Sequence, residues 1–209
     1  MTLCLFGGAF NPPHRTHERI ICTALAQLPV RRLVVLPSGQ HPHKHHAELA
    51  PAAARLELCR LAFDAIEGVE VDDWETTQPH PSYSAETLRH YREYVTDGKR
   101  PYWIIGSDNL RILPSWHRHH DVLAHAVPVT CPRSGYPIDE ESLADLDLTD
   151  RERAEILAHV LEMEPDDVSA SEIRRDLRLH RPTEAWLHPA VEHRIRELGL
   201  YGAARPRQQ

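Results

Sequence analysis

Short, nearly unbroken apolar runs alternate with longer segments whose apolar residues recur at helical spacing. This alternation constrains the fold more than any other feature of the chain. The runs cover 3–6, 33–36, 69–72, 102–105 and 127–131. Strands buried on both faces read as continuous apolar runs, whereas half-buried strands alternate. Between the runs, Ile20, Ile21, Ala24, Leu25 and Leu28 form one helical stripe, and Leu56, Cys59, Ala62, Phe63 and Ile66, opened by Pro51, form a second. A third helical segment covers 84–94. Strand and helix in repetition predict right-handed βαβ units, hence an α/β fold with a doubly wound parallel sheet. From Thr149 onward the pattern is helical. Thr149 and Glu152 have capping-box spacing, a further helix starts within "VSASEIRRDL", and a last one runs through "AVEHRIRELG" to stop at Gly199. The expected organisation is one domain over 1–203, helical in its C-terminal portion from about 149 to 203, with a disordered tail over 204–209.

A chain of 209 residues that is 41% hydrophobic can bury one substantial core. Its apolar runs are far shorter than the ~20 residues that cross a bilayer. Its first residues show no basic region and no small-residue cleavage site, so the expectation is a cytoplasmic protein with no membrane partner. The net charge of −7 gives no general attraction to nucleic acid. Cys4, Cys22, Cys59 and Cys131 form no C-x-x-C pair, and each lies in or beside an apolar segment, which predicts buried, reduced thiols.

Open parallel sheets bind ligands beyond the carboxyl ends of their strands, where the strand order reverses. The unusual residues of this chain fall at such ends. In "GGAFNPPHRTH", Gly7 and Gly8 follow the first run directly, and glycine permits close backbone approach and positive φ. Pro12 and Pro13 delay the following helix to Pro13 or later. His14 and His17, three apart, share a face at its first turns, where unpaired N–H groups and the positive dipole end also lie. The combination suits a nucleoside triphosphate. In a chain with 16 histidines, two solvent-exposed imidazoles at a helix start are the alternative. No Gly-Lys-Ser/Thr follows, and the G-x-G-x-x-G spacing is missing.

After the second run, "PSGQHPHKHH" offers Lys44 as a point charge for phosphate, or is simply a polar loop. Its imidazoles at 41, 43, 45 and 46 are irregularly spaced, with no interleaved carboxylate or cysteine to suggest a metal site. In "PSYSAETL", Ser82 or Ser84 is the candidate N-cap of the next helix, with Ser84 alternatively bound to a ligand. "YWIIGSDNL" puts Gly106 and Asp108 at the edge of a buried strand. There a carboxylate accepts ribose hydroxyls or caps the next helix as an Asx turn. Trp116, among polar residues after Pro114, covers a helix end or stacks on a flat heteroaromatic ligand. Arg133 follows the fifth run. Ser169 and Glu172 form a capping-box pattern, and Ser169, Ser171 and Arg174 together have the makings of a phosphate cradle at a helix N-terminus.

In order along the chain, these segments resemble the HxGH nucleotidyltransferases. "GGAFNPPHRTH" is similar to their first signature, with Thr16 where most members have glycine. "VSASEIR" is similar to their second, "ISSTxIR", with Ala170 and Ser171 replacing serine and threonine. "PHK", "SYSAETL", "GSDNL", Trp116, "CPRSGY" and the closing "WLHPAVEHRIRELGLY" resemble in particular the bacterial nicotinate mononucleotide adenylyltransferases, so that the likeness runs from Phe6 to Tyr201. The resemblance implies a Rossmann-like sheet and adenylyl transfer from ATP to nicotinate mononucleotide, forming deamido-NAD and pyrophosphate in NAD biosynthesis. It implies that His14, His17, Lys44 and Arg174 are catalytic, and that Gly7, Gly8, Ala9, Phe10, Gly106, Asp108, Ser169 and Ser171 hold ATP. Ser84, Asp108, Trp116 and Arg133 would hold the mononucleotide, and Mg²⁺ would enter on the ATP phosphates with no protein side chain as ligand. Nicotinamide mononucleotide or phosphopantetheine as acceptor, or a nucleotide-binding regulator without turnover, are the alternatives.

Overall fold

Five strands form at the five apolar runs: β1 (Leu3–Gly8), β2 (Arg32–Pro37), β3 (Val69–Val71), β4 (Tyr102–Gly106) and β5 (Val127–Cys131). They pair into one parallel sheet of order β3-β2-β1-β4-β5. The structure, a computed structural model, describes residues 2–40, 49–95, 98–165 and 168–204. The burial of the strands explains their unbroken apolarity. Leu3 and Leu5 of β1 face one core with Val34 and Leu36 of β2, while Cys4 and Phe6 face a second core with Leu33 and Val35. With both faces covered, neither half of the alternation can be polar.

The helices are α1 (Arg15–Gln27), α2 (Ala52–Phe63), α3 (Trp74–Thr77), α4 (Ser84–Arg92), α5 (Ser107–Leu110), α6 (His119–His125), α7 (Glu140–Ala144), α8 (Asp150–Ala158), α9 (Ala170–Arg178) and α10 (Pro189–Leu198). Ile20, Ile21 and Ala24 of α1 and Cys59 and Phe63 of α2 close one side of the sheet. Leu88 and Tyr91 of α4, Val122 and Leu123 of α6 and Ile156 of α8 close the other. Ile173 and Leu177 of α9 and Val191 and Ile195 of α10 pack on Leu58 of α2, which ties the helical C-terminal portion to the sheet. Among the described residues, no helix is long and apolar enough to cross a membrane.

The predicted helix signals operate at α8 and α10. Glu152 Oε2 accepts from the Thr149 N–H at 2.7 Å while the Thr149 hydroxyl accepts from the Glu152 N–H at 3.3 Å. Gly199 ends α10 with φ 64°, the left-handed conformation that glycine takes without a Cβ penalty.

Several expectations need correction. Strand β1 runs two residues further than its apolar run, because Gly7 and Gly8 still pair with Leu36 and Pro37. Strand β3 stops at Val71, because Asp72 Oδ1 accepts from the Trp74 N–H at 2.7 Å and turns the chain into α3. Ile66 lies beyond the end of α2. Neither Ser82 nor Ser84 caps α4. Tyr83 is its N-cap residue, and the Ser82 hydroxyl accepts from the Gly39 N–H at 2.9 Å instead. Cys4, Cys59 and Cys131 are buried free thiols, but Cys22 is exposed on the outer side of α1 despite its apolar neighbours.

Candidate active site

The chain lays down β1, β2 and β3 outward in one direction, then returns to place β4 on the other side of β1. The strand order reverses between β1 and β4, and a cleft of about 580 Å³ opens there. Gly7, Gly8, Ala9 and Phe10 line it from the end of β1. The two glycines are extended, so they are needed for space and not for positive φ. A Cβ on Gly7 would meet the Trp103 ring at 2.8 Å, and one on Gly8 the Phe10 ring at 3.2 Å. The left-handed backbone falls on Phe10, at φ 43°. Such a conformation costs a non-glycine residue on the order of 1–3 kcal/mol. Burial of the ring offsets this: its centroid lies 5.4 Å from Phe6, 4.9 Å from His17 and 6.1 Å from Phe63.

His14 is the N-cap residue of α1, and His17 lies in its first turn. Both line the cleft, with ring centroids 3.8 Å apart. The His14 backbone N–H donates to His17 Nδ1 at 3.1 Å. An accepting Nδ1 carries no proton, so the proton of this ring is on Nε2. His17 is thereby a neutral donor fixed in one orientation. Thr16, the departure from the first signature, is buried between them in the sequence.

The second signature meets the first in space. Ser169 is the N-cap residue of α9, its hydroxyl accepting from the Glu172 N–H at 3.2 Å. Ser169, Ser171 and Arg174 all line the cleft. Arg174 donates from Nη1 to the Asn11 carbonyl at 2.9 Å and from Nη2 to the Ser171 hydroxyl at 3.1 Å. The N-termini of α1 and α9 therefore open on one cavity, and their dipoles and free N–H groups favour an anion there.

Gly106 and Asp108 line the cleft from the end of β4. A Cβ on Gly106 would stand 2.4 Å from Asp108 Oδ1, so any larger residue there would push that carboxylate out of its present position. Gly106 is the N-cap residue of α5 with no side-chain cap, and the Asx-turn reading of Asp108 is not realised. Ser84, Trp116 and Arg133 complete the sequence-selected residues of the cleft. Trp116 packs one side against the core while lining the cavity. Arg133 donates to the Val168 carbonyl at 3.1 Å, just ahead of α9. Lys44 lies outside the described residues.

Sequence reasoning missed four contributors. His117 lines the cleft beside Trp116, its ring 4.6 Å from that of Tyr83. Asn11 accepts on Oδ1 from the Ala50 N–H at 3.0 Å and from the Tyr201 hydroxyl at 2.9 Å, joining three distant segments. Arg55, fully buried in α2, donates to the carbonyls of Ala9, Ser38, Gly39 and Ala50. The available signal was an arginine four residues before Cys59, on the apolar side of its helix.

Glu75 is the fourth. It lines the cleft yet is buried, and Thr87 Oγ1 donates to its Oε1 at 2.7 Å. Burial pushes its carboxyl up to about 7 from 4.5, against hydrogen bonds from Thr87 and Ser82 and the nearby Arg55 charge. The folded protein therefore holds this proton up to about pH 7, whereas the unfolded chain releases it above about 4.5. Stability drawn from the protonated form is lost as the pH rises across that window, by on the order of 3 kcal/mol. Glu75→Gln keeps the acceptor for Thr87 and removes the titration. Thermal melts from pH 5 to 8 are expected to give a flatter profile for the variant and a higher Tm than wild type at pH 8. Parallel profiles would refute the assignment.

A parallel sheet whose switch-point cleft receives two helix N-termini, three imidazoles and two guanidinium groups defines a Rossmann-like nucleotide-binding protein. The cytidylyltransferase-like family model matches residues 5–176, and the chain belongs to that family. Its curated relatives include the probable nicotinate-nucleotide adenylyltransferase of Sulfurovum sp., 36% identical over 141 residues, which are 68% of this chain and 73% of that one. The protein of the same name from a Synechococcus species is 32% identical over 197 residues, covering 94% and 93% of the two chains. Among solved structures, Plasmodium falciparum nicotinic acid mononucleotide adenylyltransferase complexed with NaAD shares the fold. Its TM-score is 0.74 at 17% identity, covering 97% of this chain and 98% of that one.

Proposed function

We propose that this protein transfers the adenylyl group of ATP to nicotinate mononucleotide, giving deamido-NAD and pyrophosphate. The observation that carries the reading is the meeting, in one switch-point cleft, of the His14–His17 pair, the Ser171–Arg174 pair and Trp116. The names of relatives matched over nearly the whole chain support the choice of acceptor.

The acceptor supplies the nucleophile. An oxygen of the mononucleotide phosphate bonds to the α-phosphorus of ATP, the bond from that phosphorus to the α–β bridging oxygen breaks, and pyrophosphate leaves with the electron pair. Catalysis is then positioning plus charge stabilisation. His17 donates from Nε2 to the α-phosphate as negative charge develops, and His14 donates beside it. Arg174, with Lys44 and the N-terminus of α9 at Ser169 and Ser171, holds the departing β- and γ-phosphates. Gly7, Gly8, Ala9, Phe10 and Gly106 let the nucleotide lie close to the backbone. Asp108 accepts from ribose hydroxyls, Trp116 stacks on the pyridine ring, and Ser84 and Arg133 bind the mononucleotide.

Mg²⁺ prefers oxygen ligands. The imidazoles and guanidinium groups at the two helix starts are nitrogen donors that fit phosphate oxygens and not this ion. It would enter on the ATP phosphates, held by no side chain of this chain, and would supply charge neutralisation there.

Pyrophosphate release, measured with ATP and Mg²⁺ and in turn nicotinate mononucleotide, nicotinamide mononucleotide and phosphopantetheine, tests the reading. Strong turnover is expected with the first alone. Equal turnover with both pyridine nucleotides would overturn the acid preference, and silence with all three despite ATP binding would overturn the enzyme.

A further inference from the structure

We propose that His119, His120 and Asp147 form a binding site for one divalent transition-metal ion of the zinc class, apart from the cleft. The two histidines open α6, and Asp147 lies between α7 and α8. One donor atom from each lies within 4.8 Å of the others. His119 Nε2 is 3.8 Å and His120 Nε2 4.0 Å from Asp147 Oδ2, and the Asp147 carbonyl is 2.9 Å from His119 Nε2. Two imidazoles and a carboxylate thus converge, with the Asp147 carbonyl beside one of the imidazoles. A tetrahedral zinc ion holds its ligands at ~2.0–2.1 Å, which separates the donors by roughly 3.3 Å. The carboxylate must close on the two imidazole nitrogens by roughly 0.5–0.7 Å to reach that separation, and Asp147, with a side chain 79% exposed, can rotate to do so.

A second observation comes from behind the ligands. Glu152 Oε1 lies 2.9 Å from His120 Nδ1. With the proton on Nδ1 and donated to that carboxylate, the lone pair is on Nε2, the nitrogen facing Asp147. Metal-binding histidines are held this way, the second ring nitrogen donating to a carboxylate that fixes the tautomer. Glu152 is itself fixed, since its other oxygen accepts from the Thr149 N–H at 2.7 Å and the Thr149 hydroxyl at 2.9 Å. His119 binds through Nε2 with its proton shifted to Nδ1, so no proton need leave the site. Mixed nitrogen and oxygen donors favour zinc, cobalt or nickel over magnesium or calcium. The ion would fasten the start of α6, three residues after Trp116, to the segment ahead of α8, bracing the cleft from outside.

The test is a titration of tag-free, EDTA-dialysed protein with Zn²⁺, repeated with Co²⁺ to read ligand-field absorption. His120→Gln and Asp147→Ala alter exposed side chains, and unchanged metal-free melts would verify their folding. Each variant is expected to take up one equivalent less than wild type in the sub-micromolar range. Glu152→Gln is expected to keep that equivalent with affinity lowered 10–100-fold. Equal uptake by wild type and both ligand variants, or no uptake by wild type, overturns the site.

Discussion

Replacing His17 by alanine is expected to lower kcat by on the order of 10²-fold or more, while Tm changes by only a few degrees. The size follows from the geometry of the ring. His14 N–H occupies Nδ1, so the proton of His17 is on Nε2 and held in one orientation in the cleft. A donor fixed in advance where charge develops is worth about 10²–10³ in rate, because no reorganisation is needed at the moment of reaction. Folding loses much less. The His14 N–H gives up one hydrogen bond at the cleft, a net cost of about 1 kcal/mol, and the Phe10 ring loses one of its three aromatic neighbours. Steady-state kinetics with saturating ATP, beside a thermal melt, separate the two effects. The fall should lie in kcat, with KM for the mononucleotide nearly unchanged. Near-normal turnover in a folded variant would remove His17 from the mechanism.

The residues that could be read from the sequence are those whose role is local. A strand buried on both faces has to be apolar at every step, so all five strands were visible as runs. A site at strand ends and helix starts concentrates glycine, proline, serine and histidine into short motifs. His14, His17, Asp108, Ser171 and Arg174 could be selected for that reason. What could not be read is set by partners far along the chain. Gly7 excludes a Cβ because of Trp103 on another strand. Asn11 is held by Tyr201, 190 residues away, and its carbonyl by Arg174, 163 away. Glu75 is raised by burial that its polar neighbours in the sequence do not reveal. Cys22 shows the converse. Apolar neighbours suggested burial, but the helical period turns it outward, next to the buried Ile21.

Arg55→Met is expected to remove about 3–5 kcal/mol of stability, and with it the alignment of the cleft. Arg55 is 1% exposed and its guanidinium donates to backbone carbonyls: Nη1 to Ala9 at 2.7 Å, Nη2 to Ser38 at 2.5 Å and Gly39 at 3.0 Å, and Nε to Ala50 at 3.0 Å. These carbonyls belong to the turn after β1, the turn after β2 and the segment entering α2. A single side chain thus fixes the backbone that carries Gly8 and Phe10 relative to the neighbouring strand. Methionine fills much of the volume but leaves four carbonyls without their donor, and each one left buried and unsatisfied costs about 1–3 kcal/mol. Relaxation and water entry satisfy part of them and bring the net loss to about 3–5 kcal/mol. That is a large part of the 5–15 kcal/mol by which a domain is usually stable. Arg55→Lys separates charge from shape. An ammonium retains the positive charge but cannot span three backbone segments, so a loss close to that of methionine is expected if the fork is what matters. Urea unfolding with an unchanged m-value is the measurement. A midpoint shift equivalent to less than about 1 kcal/mol for Arg55→Met would show that the turns after β1 and β2 hold each other without it.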